Sequence, residues 1–487
     1  MFWKSKHCEL SRTKAGDRQK LTLDELKKAL SGMYDADIVE HQTDNGQKVV
    51  IAYVRTLIDK ERLNECIIAP LLRDFNDSLD TCIRQAKIST LDTLEESLKN
   101  MFEGSILVCD VQNHQWVAIS LQNPLSRGIE TSQTESILYG PKDSFSEQID
   151  DNITLIRRRL PLAEVKTEKF TLGSLSQTTI IMLYIDKLTN PEFISIAKNK
   201  IKNIDFDLFL DSSQVATFME DNYHSVFPQY QHTDRPDVCA YSLGLGKITF
   251  LVNNSSFAFI GPITLFDLFQ SPEDYINRWL VASFLRCIRY LSFLLSLILI
   301  PSYVALTAFH YQMIPLQILF VLLESRSKLP FTPYWEALLM LLTLEVIKEA
   351  SIRMPTKSGQ TLGVIGGIVV GEAAVSAGFV SQVLIVLVGI SAIASFLTPN
   401  YLVTKATAFI QFLLLVLSSL LGFFGIFLGL ILLLIHLNGL SSLKQPYLAP
   451  VAPFYGRDWI DLFIRGPLHW MRKRPAYLHP LQKRRRD

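Results

Sequence analysis

The second half of the chain contains three long stretches without a single Asp, Glu, Lys or Arg: Tyr290–Leu323, Ala373–Thr404 and Ala406–Leu443. A helix needs roughly 20 apolar residues to cross the hydrocarbon of a bilayer. Tyr290–Phe309 and Phe379–Thr398 each meet that length. Phe409–Leu437 is long for one straight span and short for two, so one tilted or kinked helix through Gly422, Gly425 and Gly429 is expected. Met313–Ser325 is apolar but too short to cross, and reads as a re-entrant or interfacial piece. Trp335–Arg353 has helical spacing yet carries Glu336, Glu345, Lys348, Glu349 and Arg353. Glu345 with Lys348, and Glu349 with Arg353, can neutralise each other on a helix. This segment is either a helix end at the water interface or a partly buried polar helix near a conduction path.

Charge divides the chain at the same place. From Tyr290 onward there are 16 Lys+Arg against 8 Asp+Glu, which leaves 32 against 39 before it. The net charge of +1 therefore joins an acidic first half to a basic second half. No basic face with interleaved aromatics appears in the first half, so nucleic acid is not an expected partner. The opening residues MFWKSKHCELSRTKAGDRQK lack an apolar core and do not read as a signal peptide, which places the first half in the cytosol. After the last apolar run come ten basic residues against three acidic ones, a cytosolic signature. Two cytosolic termini require an even number of crossings, four as first choice and six as second. The six cysteines are scattered without C-x-x-C or Cys/His spacing, so neither a metal site nor a disulfide framework is indicated.

The first half is written twice. Val49–Leu57 (VVIAYVRTL) and Ile180–Leu188 (IIMLYIDKL) share an apolar run with Tyr at its fifth position and Leu at its ninth. Glu103–Ile119 and Leu245–Gly261 share a glycine, a strand, a polar turn and a second strand, the pattern of a hairpin. The expected architecture is an α/β soluble N-terminal half of two related subdomains, 1–130 and 131–288. A transmembrane all-α domain, 289–443, and a basic cytosolic tail, 444–487, complete it. Gly244-x-Gly246 reads as a turn rather than a cofactor loop. No Ser/His/Asp, Cys/His or paired-carboxylate cluster is evident, so no catalytic residue and no cofactor is expected.

The most informative local pattern is GQTLGVIGGIVVGEAAVSAG, where Gly359, Gly363, Gly367 and Gly371 recur every four residues. On a helix they form a stripe without side chains, which in lipid allows two backbones to approach closely. Such a stripe serves tight packing within one chain, or a helix at a subunit interface or around a pore. Gln360, Thr361 and Glu372 beside it favour the pore or interface, because an ionisable residue inside a membrane segment is costly.

Four stretches, in order, resemble the A subunit of the GerA family of spore germination proteins: Tyr139–Leu160 (YGPKDSFSEQIDDNITLIRRRL), Phe227–Asp237 (FPQYQHTDRPD), Ser271–Trp279 (SPEDYINRW), and LPFTPYWEALLM leading into the glycine ladder. The likeness covers nearly everything from Val49 to Leu448. It marks Gly140, Pro141, Lys142, Asn152, Arg157, Arg159, Arg235, Pro236 and Asp237 as structural motif positions. Three departures stand out: Tyr139 where the family usually has Arg, Asp234 in place of Glu, and Glu372 in place of Gln. The resemblance implies a multi-pass protein of the spore inner membrane that is not an enzyme, with both termini facing the spore core. It also implies a homo-oligomer, a pentamer, that conducts cations when a nutrient binds. Its partners would be a transporter-like B subunit, a lipoprotein C subunit and the lipid bilayer. The alternative is a SpoVA-associated relative that amplifies germination without its own receptor; the G-P-K run favours the first reading. A secondary transporter would need inverted repeats in the membrane half, and none is evident. The Arg157–Arg159 run is expected either to contact a neighbouring subunit or to end a solvated helix.

Overall fold

The computed structural model describes residues 21–43, 47–73, 88–111, 115–123, 139–327, 329–353 and 371–485. The run KVVIAYV forms β2 (Lys48–Val54), whose neighbours are β1 (Ala36–Gln42) and β4 (Ser105–Asp110). Val50, Ala52 and Val54 face the helices α1 (Leu23–Leu30) and α4 (Leu94–Phe102), through Leu26, Leu30, Met101 and Phe102. Val49 and Ile51 face the opposite way, toward Leu63, Ile67 and Leu71. Those three belong to a helical run of α2 (Lys60–Leu63), a π-helical turn (Asn64–Ile68) and α3 (Ala69–Arg73). With helices on both faces, a central strand must be apolar at nearly every position, which is why it reads as an unbroken run. β5 (Gln115–Ser120) and β3 (Ile88–Leu91) complete a sheet of order β1-β2-β4-β5-β3.

The second sheet has order β6-β7-β9-β10-β8, the same arrangement counted from its own first strand. Its strands are β6 (Val165–Leu172), β7 (Thr178–Ile185), β8 (Gln231–Thr233), β9 (Ile248–Val252) and β10 (Ala258–Gly261). The helices α5 (Ile149–Arg159), α6 (Pro191–Lys202), α7 (Ser212–Met219) and α8 (Pro236–Leu245) accompany it. Even the register repeats. Val49 pairs with Asp110 and Ile51 with Val108 in the first sheet. Ile180 pairs with Val252 and Met182 with Phe250 in the second. The offsets of 131 and 142 residues that align the two sequences thus also align the two ladders. Gly246 ends α8 in the left-handed conformation (φ 98°), so the isolated glycine pair is a helix stop, as its sequence context suggests.

The described chain divides into two compact units. The first holds both sheets. The second holds 139–140, 216–231 and the described residues from Gly261 onward. Its core joins Ile263, Leu265 and Leu268 to Phe293, Leu297, Ile410, Leu414 and Tyr447. Its helices are α9 (Glu273–Ile276), α10 (Trp279–Ala308), α11 (Leu316–Arg326), α12 (Pro333–Arg353), α13 (Gly371–Ser376), α14 (Gln382–Phe396), α15 (Tyr401–Leu421) and α16 (Phe423–Gly439). By length and composition, α10 and α15 can each cross a membrane, and α14 and α16 are shorter apolar helices.

The expectation of one kinked helix over Phe409–Leu437 is corrected. The chain turns at Gly422 (φ 61°, ψ −139°), and α16 folds back on α15. A Cβ on Gly422 would lie 2.6 Å from the His310 ring. One on Gly425 would run into the Leu417 carbonyl oxygen, and one on Gly429 would lie 2.5 Å from a Leu414 methyl. The three glycines are therefore a turn and two close-approach positions of a helical hairpin, not a kink. The tail after Leu443 is also more than a charged appendage, since Tyr447, Ala449, Leu462, Arg465 and Leu478 are buried.

Candidate functional site

Two of the motif stretches meet in the first unit. Arg235, buried just before α8, donates to Asp237 through Nε (3.1 Å) and Nη2 (2.7 Å), and to the Pro141 carbonyl (3.1 Å). Phe145 N–H donates to the Asp234 carbonyl at 2.8 Å. Pro236 opens α8, where its fixed φ suits the first helical turn. Asn152 closes the loop from the other side, accepting from Ser146 N–H (2.8 Å) and donating to Ser146 O (2.7 Å). Gly140 and Lys142 are exposed. Here the motif residues shape a loop and a helix start.

The basic run on α5 finds acceptors inside the chain, with Arg158 exposed at the helix end. Arg159 pairs with Asp143 (2.6 Å), and Arg158 donates to the Asn123 carbonyl. Arg157 is fully buried and holds Asp35 through Nε (2.5 Å) and Nη2 (2.7 Å). Thr167 of β6 (2.7 Å) and Thr56 (3.1 Å) also donate to the Asp35 carboxylate. Burial alone pushes this carboxyl up, but the Arg157 guanidinium and the Thr167 hydroxyl outweigh it and hold the pKa below the ordinary value. Asp35 precedes the first sheet and Thr167 lies in the second, so this ion pair joins the duplicated halves. Nothing local in the sequence marks Asp35, whose partner lies 122 residues away.

Three polar nodes of the second unit lie between α12, α14 and their neighbours. At one end the buried Glu336 pairs with Arg326 (3.2 Å) and accepts from Ser381 N–H (3.3 Å). The Ser381 hydroxyl caps α14 and meets Tyr303 Oη at 3.0 Å. Midway, Gln411 donates to Ser391 (3.0 Å), which donates to the Ser296 carbonyl (3.4 Å). At the far end Lys348 bridges Glu345 (2.9 Å) and Ser395 (3.2 Å), while Glu349 takes Lys405 (2.9 Å) and Arg353 (2.8 Å). The two pairings expected along Trp335–Arg353 are both present. These contacts also set direction. Glu336 lies beside Ser381 and Lys348 beside Ser395, so α12 and α14 run parallel over about 18–21 Å at 1.5 Å per residue.

Gly359, Gln360, Thr361, Gly363 and Gly367 lie outside the described residues. Gly371 is buried at the start of α13, and Glu372 beside it is exposed. A fourth node stands at the first turns of α10. Arg286 is fully buried and reaches Asp274 (3.0 Å) and Asp461 (2.9 Å), while Arg289 also holds Asp274 (2.8 Å). Tyr275 donates to Asp461 at 2.8 Å. Burial pushes the Asp461 carboxyl up, and Arg286 only partly offsets this. Asp274 and Tyr275 belong to the third motif stretch, SPEDYINRW, so that motif ties the tail to α10. Among the described residues, no three His, Cys, Asp or Glu side chains are grouped to hold a metal.

The family described as Bacillus/Clostridium GerA spore germination protein matches residues 24–477. Spore germination protein GerQA of Bacillus cereus is 35% identical over 96% of this chain and 95% of its own. The membrane protein YfkQ of Bacillus subtilis is 34% identical over 91% of this chain and 88% of its own. A similar solved structure is the N-terminal domain of the A subunit of the Bacillus megaterium spore germinant receptor GerK3. It has 21% identity and a TM-score of 0.39, covering 49% of this chain and 92% of that one.

Proposed function

Because the chain belongs to the GerA family of spore germination proteins, we propose that it is the A subunit of a nutrient-germinant receptor and forms a germinant-gated cation path. In this reading it sits in the spore inner membrane as a homo-oligomer, a pentamer, with a transporter-like B subunit and a lipoprotein C subunit. Its role is assembly and conduction rather than catalysis. The supporting observation is the parallel pair α12 and α14. In sequence, the stretch between them, from Arg353 to Ser381, holds the glycine ladder. Two cytosolic termini require an even number of crossings, four or six. The G-P-K run at Gly140–Lys142 favours this role over that of the SpoVA-associated relative.

Gly359, Gly363, Gly367 and Gly371 let this segment pack closely in a narrow ring. Glu372 lies about 100° round from Gly371. Against lipid its charge costs roughly 2.5–3.5 kcal/mol; around a shared aqueous axis it supplies a ring of carboxylates, a device of cation-selective pores. Gln360 and Thr361 add polar groups to the same path. The test is conductance in reconstituted bilayers. Glu372→Gln should keep assembly and change ion preference, and Gly367→Leu should close the path or prevent assembly. Unchanged selectivity and conductance in Glu372→Gln removes the carboxylate ring, and normal germination with Gly367→Leu removes the ladder from the pore.

A further inference from the structure

The segment 216–231 packs at the end of α16 and carries large apolar side chains outward. Ser225 Oγ and His436 Nε2 are 2.9 Å apart, and Phe227 packs into a cluster with Leu437 and Leu440. The two acidic groups of the segment are turned away from its outer face. Asp221 accepts from Ser441 Oγ (2.6 Å) and Lys444 N–H (2.9 Å), and Glu220 accepts from Gln229 N–H (3.3 Å). What remains outward is Phe218 (47% exposed), Tyr223 (74%), His224 and Val226 (41%). On α16 itself Phe424, Phe427, Ile431, Leu434 and Ile435 are exposed at helical spacing, a stripe suited to lipid.

We propose that Phe218–Val226 is an interfacial anchor, with Tyr223, Val226 and Phe218 lying in the headgroup region of the cytosolic leaflet. This rests on the reading of α16 as a membrane crossing. Seventeen residues at 1.5 Å each span about 25 Å, less than the hydrocarbon thickness of about 30 Å. A crossing of that length ends close to the edge of the hydrocarbon, and the contacts at Ser225 and Phe227 hold the segment beside its cytosolic end. Tyrosine favours this layer because its ring is apolar and its hydroxyl is wet. The occupant is the bilayer rather than a protein because the segment meets α16 at His436 and Leu437, next in sequence to the exposed Ile431, Leu434 and Ile435 of the lipid-suited stripe.

The full chain, reconstituted in phospholipid vesicles, tests this with a fluorescent amino acid placed at position 223 in one protein and at 431 in another. Quenchers are lipids carrying nitroxide near the glycerol or near the chain ends, and aqueous iodide. The expected result is deep-lipid quenching at 431, and at 223 shallow-lipid quenching at least twofold stronger than iodide quenching. Deep quenching at 431 with only iodide quenching at 223 overturns the anchor and leaves the crossing intact. Shielding of 223 from both lipid and iodide also overturns it, since a protein surface then covers the patch. Absence of lipid quenching at 431 overturns the crossing and the anchor together.

Discussion

Arg157 in the two-sheet unit and Arg286 in the helical unit are both fully buried and both bound to aspartate, yet their surroundings differ. Arg157 and Asp35 form a one-to-one pair, supported by threonine hydroxyls. Arg286 shares Asp274 with Arg289 and takes Asp461 as well, so two guanidinium groups face two carboxylates drawn from three segments. A buried pair that loses one member leaves a bare charge in a low-dielectric interior. A shared network can redistribute its partners. The two-sheet unit therefore rests on one indivisible contact, and the junction of tail and helix on a divisible one.

The comparison breaks most visibly at Arg157. Arg157→Met should cost about 3–5 kcal/mol, read as loss of hydrogen-exchange protection in both sheets, because Asp35 is left uncompensated. Adding Asp35→Asn should recover a large part of that loss. Arg286→Met should cost less, about 1–3 kcal/mol in the same measurement on α10 and the tail, because Asp274 keeps Arg289. Equal losses at the two sites would remove the distinction. The next effect belongs to the hairpin. Gly422→Val places a branched side chain at φ 61° against the His310 ring, and should cost about 2–3 kcal/mol of thermal stability in detergent.

The smallest effect separates the two sheets by pH. Burial lowers the pKa of His232, in the second sheet, from 6.5 to about 4, with Asp211 opposing the shift. The unfolded chain takes up a proton before the folded one does, so stability is full above pH 6.5 and declines down to about pH 4. His232 keeps some solvent contact, so the decline is on the order of 1–2 kcal/mol. His232→Gln should flatten hydrogen-exchange protection of the second sheet across that window. The Asp35 contribution has its own window. A carboxyl held below 3.8 keeps its stabilisation above that pH and loses it as pH falls through the lower, folded value. The joint should therefore survive acidification that already loosens the second sheet.

The sequence was most legible where burial is two-sided. β2 and β7 are covered on both faces, so their apolar runs stand out, and the offsets between the copies anticipate the register. The edge strands β1 and β6 expose one side and mix polar with apolar residues, as in ADIVEHQ and VKTEKFTL, so they did not stand out. β8 has only three residues. The hairpin was misjudged because α15 begins at Tyr401, ahead of the apolar run, and includes Thr404 and Lys405. Its turn is one glycine packed on His310, so no polar loop marks it. Of the candidate site, the pairs within α12 were legible from their spacing of three and four residues. Glu336 with Ser381, and Asp35 with Arg157, were not, because contacts between distant segments leave no local periodicity.

The turn at Gly422 also bears on how the membrane half is made. A single residue joins α15 to α16, so the second helix cannot wander from the first once both have left the ribosome. Tethered helices meet at an effective concentration set by that link, and a link of one residue leaves little closure entropy to lose. The fit at Gly425 and Gly429 then needs only the modest packing attraction available between helices in lipid. α15 and α16 would then form as one preassembled hairpin. A glycine-to-bulky change in this hairpin would accordingly show first as a lower yield of folded protein, the surviving fraction carrying the reduced thermal stability.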